Sequence, residues 1–210
     1  MKTSTGLTRL ALLALFTIPL QLAAQDGNFG DKFQLSSTTF QNNSTLPLSV
    51  INNITVNNVN SCSANGSPGG NQSPELSWTR ADPRTRSFAV VLYDVTAAFT
   101  HWGMYNIAPF AAGLPENAGV SGSQFGAQIV NDFFVGAEYD GPCPPPNVSP
   151  VNHQYVFTVY ALDIKLNLPS SANFPATAET LYQALIAAGT SGHILESASI
   201  TGFYSTAPTQ

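Results

Sequence analysis

Charged side chains are rare in this sequence: Asp, Glu, Lys and Arg make up 9% of its 210 residues. With two cysteines and three histidines, it has few groups that could bind or transform a polar ligand. Beyond residue 22 no apolar run approaches the ~20 residues that a membrane-spanning helix requires. No Gly-x-Ser-x-Gly sequence marks a hydrolase nucleophile. An integral membrane protein and a hydrolase of that type are therefore poor interpretations.

The chain begins with the pattern of a secretory signal. Lys2 and Arg9 give a basic start, Leu10–Leu22 is almost entirely apolar, and small residues precede Gln25. We therefore predict a signal peptide over residues 1–24 and an exported product, periplasmic or secreted. An uncleaved N-terminal anchor is the alternative, whereas no cysteine lies at the cleavage region to carry a bacterial lipid anchor.

The predicted mature chain, residues 25–210, is acidic. Without Lys2 and Arg9 it has five Lys and Arg against twelve Asp and Glu, a formal charge of −7. Such a surface repels phosphate backbones, so nucleic acid is a poor partner. Its length, about 185 residues, predicts a single domain with a substantial core.

The two cysteines, Cys62 and Cys143, lie in loops rich in Gly, Pro and Ser. An even count in an oxidising compartment predicts a structural disulfide between them. Two free thiols are the alternative. Neither cysteine has the close spacing or the helix N-terminal position of a redox-active pair.

Most of the secondary structure predicted from the sequence is β-strand. The apolar runs Phe88–Tyr93, Trp102–Ile107 and Tyr155–Leu162 are typical of strands covered on both faces, and residues 200–204 form a final strand. Earlier, around residues 33–35 and 48–56, shorter alternating stretches predict two strands between long polar loops.

One helix is predicted near the C-terminus. Pro175 lies near its start, Leu181, Tyr182, Leu185 and Ala188 share one face, and Gly189 ends it as the C′ residue. Because the strands do not alternate with helices, we expect a mainly β, sandwich-like arrangement with a minor helix.

Three of the predicted strand ends carry a polar group that could form a shallow site at the rim of a sandwich. Asp94 ends one strand, His101 opens the next and His153 opens a third. The segment Tyr139-Asp-Gly-Pro-Cys-Pro-Pro-Pro146 could hold a fixed shape beside them, since prolines have little conformational entropy to lose. Spacing alone favours His101 as an ordinary strand residue, and Asp94 could serve mainly to order a turn or to orient His101.

The order of motifs along the chain resembles the phosphatidylethanolamine-binding proteins, in particular their bacterial branch. The resemblance extends from about Phe33 to Tyr204. It rests on Asn71-Gln-Ser-Pro-Glu-Leu-Ser-Trp78, Tyr93-Asp94, His101-Trp102 with Asn106-Ile107, Tyr139-Asp-Gly-Pro-Cys-Pro-Pro145, His153-Gln-Tyr155-Val-Phe-Thr-Val-Tyr160 and Gly192-His-Ile-Leu195 through Tyr204.

The resemblance implies an antiparallel Greek-key β-sandwich with a few peripheral helices and a small pocket for phosphate, acetate or phospholipid head groups. Carried over by position, the ligand-binding residues are Asp94, His101, Tyr139, Gly141, Pro142, His153 and Tyr155. The family usually has Asp-Pro-Asp-x-Pro where this chain reads Asp94-Val-Thr96-Ala-Ala98, and His-Arg-Tyr where it reads His153-Gln154-Tyr155. A carboxylate, two prolines and a cation are therefore missing.

Without a Lys or Arg at these positions, an anion would depend on backbone N–H groups, tyrosine hydroxyls and charged histidines. An imidazole titrates near about pH 6.5, and a neighbouring carboxylate such as Asp94 favours its charged form. We therefore expect phosphate-like ligands to bind better at about pH 5.5 than at about pH 8. His193, just before an apolar strand, is interpreted as structural.

These features favour a non-enzymatic, exported binding protein for a small anion or phospholipid head group. A protein-interaction or inhibitor module with a vestigial pocket is one alternative, with a protein partner or homodimer. The other is a small hydrolase or lyase that uses His and Asp as acid and base. Neither a cofactor nor a dedicated metal site is predicted, because the two histidines and Asp94 lack helical ligand spacing.

Overall fold

The computed structural model describes residues 32–206, in which antiparallel strands predominate. The predicted signal peptide, residues 1–24, lies outside the described residues. The strands are β1 (Gln34–Ser36), β2 (Ser44–Thr45), β3 (Thr55–Val56), β4 (Val59–Asn60), β5 (Leu76–Thr79), β6 (Ser87–Asp94), β7 (Phe99–Ile107), β8 (Gly113–Leu114), β9 (Ala127–Gln128), β10 (His153–Leu162) and β11 (Ile194–Tyr204). The helices are a 3-10 turn over Leu48–Val50 and α1 (Ala178–Thr190).

The main sheet has six strands in the order β2-β11-β10-β6-β7-β9. Its four long strands pair antiparallel, whereas the short edge strand β2 is parallel to β11. A second sheet has the order β1-β5-β8, and β3 and β4 form a separate hairpin. The long strands confirm the predicted apolar runs, each extended by two to six residues.

The main core lies between the two larger sheets. Inward side chains of the six-stranded sheet, including Phe88, Trp102 and Phe157, pack in one cluster with Leu35 and Trp78 of the three-stranded sheet. A second cluster lies between α1 and the outer face of the main sheet. The arrangement confirms the mainly β sandwich with peripheral helical segments. Within residues 32–206 no helix is long and apolar enough to cross a membrane.

The helix differs in detail from the prediction. Gly189 lies inside α1 and is not its C′ residue: the helix continues to Thr190, and Gly192, at φ +74°, makes the left-handed turn that follows. Gly is tolerated near a helix end, so the first glycine in the sequence did not mark the stop. Tyr182 is 60% exposed and does not share the buried face. At the other end, Thr177 and Thr180 form a reciprocal capping box.

The early region also differs. Leu48–Val50 forms a 3-10 turn instead of the predicted strand, and the chain then enters the β3–β4 hairpin. Asn57 and Asn58 form its two-residue loop, both with positive φ. Asn is among the residues that tolerate this conformation, which matches the twist of a tight hairpin. The polar loop thus contains paired backbone that a hydrophobicity pattern could not reveal.

Candidate functional site

Asp94, His153 and Tyr155 meet at one end of the main sheet because of strand register. Asp94 is the last residue of β6 and pairs with Tyr155 of β10 across the strands. Side chains alternate along a strand, so His153 and Tyr155 lie on the same face of β10. The ring centroids of these two residues are 6.3 Å apart.

His101 joins this group through a bulge in β7. Leu92 pairs with Trp102 and Tyr93 pairs with Thr100, which leaves His101 as the additional residue. A bulge interrupts the alternation of side chains and re-aims one of them. Both His101 and Trp102 are consequently buried, and the His101 ring meets Tyr155 edge-on at 5.4 Å. His101 is therefore the third residue of its strand, whereas the sequence analysis predicted that it would be the first.

Asp94 orients His153 rather than His101. Its Oδ2 lies 2.6 Å from His153 Nδ1, while its Oδ1 accepts hydrogen bonds from the N–H groups of Thr96 and Ala97 at 2.9 and 3.0 Å. The Thr96 hydroxyl accepts from the Gln154 N–H at 3.0 Å. Thr96 therefore ties the turn to β10, at the position where the family usually has its second carboxylate.

The His101 ring is fixed by two carbonyl groups. Its Nδ1 lies 2.9 Å from the oxygen of Asp140 and 3.1 Å from that of Gly141. Since both neighbours are acceptors, Nδ1 must carry the proton. Burial lowers the pKa of His101, although the two carbonyls and the Asp94 carboxylate oppose this effect. His101 is thus neutral near pH 7, with an acceptor lone pair on Nε2: Asp94 favours the charged form, as expected, but burial outweighs this effect.

The Tyr155 hydroxyl has no hydrogen-bond partner within residues 32–206, although it is fully buried. Burial raises the pKa of Tyr155, and the negative charge of Asp94 raises it further. Asp94 lies close enough to the Tyr155 hydroxyl to act on its pKa, but within residues 32–206 the two groups do not form a hydrogen bond. Buried polar groups normally have partners, so this hydroxyl is the exceptional atom of the site.

The remaining predicted residues form hydrogen bonds that fix the backbone around the site. The Tyr139 hydroxyl donates to the Val50 carbonyl at 2.8 Å. The Gly141 N–H donates to Asn71 Oδ1 at 2.7 Å, and the Pro142 carbonyl accepts from the Asn52 N–H. A Cβ on Gly141 would lie 2.1 Å from the Val50 oxygen, so only glycine fits. The backbone N–H expected to hold an anion is thus already used.

Asp140 and the aromatic residues around His101 were missed by the sequence analysis. The Asp140 carboxylate is buried and accepts a hydrogen bond from Asn131 Nδ2 at 2.8 Å. Phe99 and Phe133 pack against the His101 ring at 4.9 and 5.4 Å. Asp140 lies inside the Tyr139–Pro146 motif, which could have indicated it as a second acid. No pattern pointed to Phe133.

The disulfide between Cys62 and Cys143 is confirmed and joins the loop after β4 to this motif. No group of three or more His, Cys, Asp or Glu side chains in residues 32–206 is placed to hold a metal ion. The third histidine, His193, pairs with Asp163 at 2.8 Å and is not part of this site.

The cluster formed by Asp94, His101, His153 and Tyr155 thus presents a mixed set of groups. Tyr155 can donate a hydrogen bond, His101 Nε2 can accept one, and His153 Nε2 can do either according to its protonation. Neither imidazole uses Nε2 in a hydrogen bond within residues 32–206. Asp94 of the cluster and the neighbouring Asp140 are buried carboxylates, so the cluster suits a ligand with both acceptor and donor atoms.

Comparison with known proteins agrees with this geometry. The family model described as phosphatidylethanolamine-binding protein matches residues 36–205. A UPF0098 protein of Methanothermobacter thermautotrophicus is 36% identical over 65% of this chain and 84% of its own length. The UPF0098 protein YbhB of Escherichia coli is 31% identical over 67% of this chain and 85% of its own.

Two solved structures share the fold. The crystal structure of E. coli YbcL, described as a new member of the mammalian PEBP family, superposes with a TM-score of 0.66 at 28% identity, covering 83% of this chain and 98% of that one. A PEBP homologue from Chlamydia trachomatis gives a TM-score of 0.60 at 27% identity, covering 83% and 97%.

Proposed function

This chain belongs to the phosphatidylethanolamine-binding protein family, and we propose that it is an exported, non-enzymatic binding protein. Its ligand is a small oxyacid in its singly protonated form, such as a phosphate monoester of a phospholipid head group. The ligand occupies the cluster of Asp94, His101, His153 and Tyr155.

The observation that carries this proposal is the buried Tyr155 hydroxyl, which has no hydrogen-bond partner among residues 32–206. An unsatisfied buried hydroxyl costs the folded protein about 1–3 kcal/mol, which a ligand oxygen would recover. A singly protonated phosphate has oxygens that accept from Tyr155 and a P–O–H group that donates to His101 Nε2. The dianion lacks that donor and would be repelled by the carboxylates of Asp94 and Asp140.

The proposal predicts tighter binding in acid, for a different reason than the sequence suggested. The second pKa of a phosphate monoester is about 6, so the singly protonated form dominates at about pH 5.5 and is minor at about pH 8. The ligand's own proton, and not a charge on His101, then sets the pH dependence.

Calorimetric titration with phosphorylethanolamine tests the site. Tyr155→Phe should weaken binding about 10- to 100-fold, as expected for loss of a hydrogen bond to a charged group. His153→Gln should also weaken it. His193→Gln is the matched control, because His193 also pairs with an aspartate, Asp163, but lies outside the cluster.

If Tyr155→Phe and the unmodified protein bind phosphorylethanolamine equally well, the ligand does not occupy this cluster. Turnover of a phosphate ester that is lost in His153→Gln would contradict the non-enzymatic role. The signal-like pattern of residues 1–24 supports export. Sequencing the N-terminus of the mature protein tests this, and a mature chain that begins at Met1 would contradict cleavage.

A protein-interaction module remains the second candidate, because the cluster is nearly closed. His101 and His153 are each 4% exposed, so a ligand has only a narrow approach. This candidate predicts that His153→Gln binds phosphorylethanolamine no worse than the unmodified protein, and that a purified partner binds both equally.

A further inference from the structure

A cavity of about 570 Å³ lies between α1 and the outer face of the main sheet. Tyr93 and Val156 line it, and each is the chain neighbour of a residue of the candidate site, Asp94 and Tyr155. Because side chains alternate along strands, the cavity lies on the opposite face of the same strands. Its volume is within the range of about 300–1,000 Å³ that is usual for small-molecule sites.

The cavity exists because α1 covers only part of an apolar sheet face. Leu181 packs so closely on β7 that a Cβ on Gly103 would lie 2.6 Å from its Cδ2, and Leu185 is buried beside it. Val91 and Val156 also line the cavity but are only partly buried. An antiparallel sheet face that meets water normally carries polar side chains there, so these valines indicate an apolar ligand.

Among the described residues 32–206, the charged residues that line the cavity are the acids Asp132 and Glu179. Asp132 Oδ2 accepts from the Thr100 N–H at 2.7 Å, and Glu179 Oε1 accepts from Gln183 Nε2 at 2.8 Å. The second oxygen of each carboxylate makes no hydrogen bond within residues 32–206.

Basic side chains are concentrated at the other end of the sheet. Arg86 directly precedes β6, which starts at the end remote from the cavity, and Lys165 lies just beyond the end of β10 that pairs there. Arg84 lies in the same region together with the acids Asp82, Asp163 and Glu196, so acids and bases balance at that end of the sheet. Within the described chain, no Lys, Arg or His lines the cavity to balance its two acids.

From this charge pattern we propose that the cavity binds an amphiphilic amine. The ammonium group lies beside the carboxylates of Asp132 and Glu179, and the apolar part covers Val91, Val156 and Leu185. Tyr93 and Tyr182 also line the cavity and offer ring faces to the cation. This site is independent of the proposed phosphate site.

The test uses three probes of equal chain length, n-octylammonium, octanol and octanoate, titrated into the full chain and followed by NMR chemical shifts of the cavity residues. Octylammonium should bind most tightly and octanoate least. The double variant Asp132→Asn with Glu179→Gln should weaken octylammonium binding about five- to tenfold, the size expected for two partly exposed ion pairs. It should leave octanol binding unchanged.

Glu116→Gln is the matched control, since it removes an exposed acid outside the cavity lining, and it should bind octylammonium as the unmodified protein does. Val156→Trp fills the cavity and should abolish binding of both octylammonium and octanol. Octanoate that binds as well as octylammonium would overturn the proposal. So would octylammonium binding that survives Val156→Trp in a variant whose circular dichroism is native. Octylammonium binding retained in Tyr155→Phe would separate this site from the phosphate site.

Discussion

At the scale of single residues, the site combines one unsatisfied group with one group held neutral. Within the part of the chain that the structure describes, the Tyr155 hydroxyl is buried without a hydrogen-bond partner, and the His101 imidazole is buried between two carbonyls. The first arrangement costs the protein lost hydration at any pH, and the second costs stability only in acid, where the unfolded chain takes up the proton first. Each makes a prediction for stability that is separate from ligand binding.

Tyr155→Phe should leave the ligand-free protein as stable or more stable, by up to about 1–2 kcal/mol, because it removes a desolvated hydroxyl and keeps the ring. Urea unfolding without phosphate measures this change. A loss of stability above about 1 kcal/mol would mean that the hydroxyl has a partner in solution.

The His101 imidazole should make the protein less stable in acid. Its folded-state pKa is lowered below the ordinary 6.5, so the unfolded chain takes up the proton first as pH falls. The contribution is fully present above about pH 6.5 and is lost below it. His101→Asn keeps an N–H donor near the Nδ1 position but does not titrate, so the free energy of unfolding should fall less steeply between about pH 7 and pH 5. Equal slopes in the two proteins would contradict a lowered pKa.

At the scale of secondary-structure elements, the packing of α1 on the main sheet depends on a glycine. Gly103 of β7 lies beneath Leu181 and Ile129, both of which are buried. Interiors are close-packed, so even one added methyl group must displace a neighbour. The helix in turn forms one wall of the amine cavity, and its distance from the sheet sets the width of that cavity.

Gly103→Ala should therefore destabilise the protein by about 1–3 kcal/mol through overpacking. Gly189→Ala should stabilise it by about 0.5–1 kcal/mol, because position 189 lies within α1 and alanine favours a helix. The nearest atom to an added Cβ there is Ile194 Cδ1 at 3.5 Å, an ordinary contact. Thermal unfolding of both variants measures the two effects. A shift of Tm in the same direction in both variants would contradict the packing described.

At the scale of the whole molecule, the disulfide links distant segments around the candidate site. Cys62 and Cys143 are 81 residues apart in sequence. The bond fixes the motif that carries Asp140 and Gly141, whose carbonyls hold His101. One covalent bond thus connects the stability of the fold to the orientation of an imidazole.

Replacing both cysteines by serine should destabilise the protein by about 4–5 kcal/mol on the chain-entropy model for a loop of this length. Denaturant unfolding of the double variant against the oxidised protein measures the difference. A difference below about 1 kcal/mol would mean that the unfolded chain already holds these segments together.

The sequence predicted what depends on local pattern. The strands Phe88–Tyr93 and Tyr155–Leu162 were visible because both faces are apolar, and the two cysteines implied their bond. The bulge that turns His101 inward was not visible, since it depends on how β7 pairs with β6. The missing partner of Tyr155 and the burial of Asp140 arise from contacts between segments far apart in the chain, which no local pattern encodes.

The uneven placement of basic and acidic side chains along the main sheet gives the folded domain an electric dipole. At one pole Arg84, Arg86 and Lys165 lie among the acids Asp82, Asp163 and Glu196, so the charges there balance, whereas Asp132, Asp140 and Glu179 make the other pole negative. Near a positively charged surface, the field would turn the acidic pole forward before contact. The phosphate cluster and the amine cavity lie on opposite faces of the sheet at that pole. Both sites would therefore face the surface when the protein reaches it, and either could then bind its ligand there.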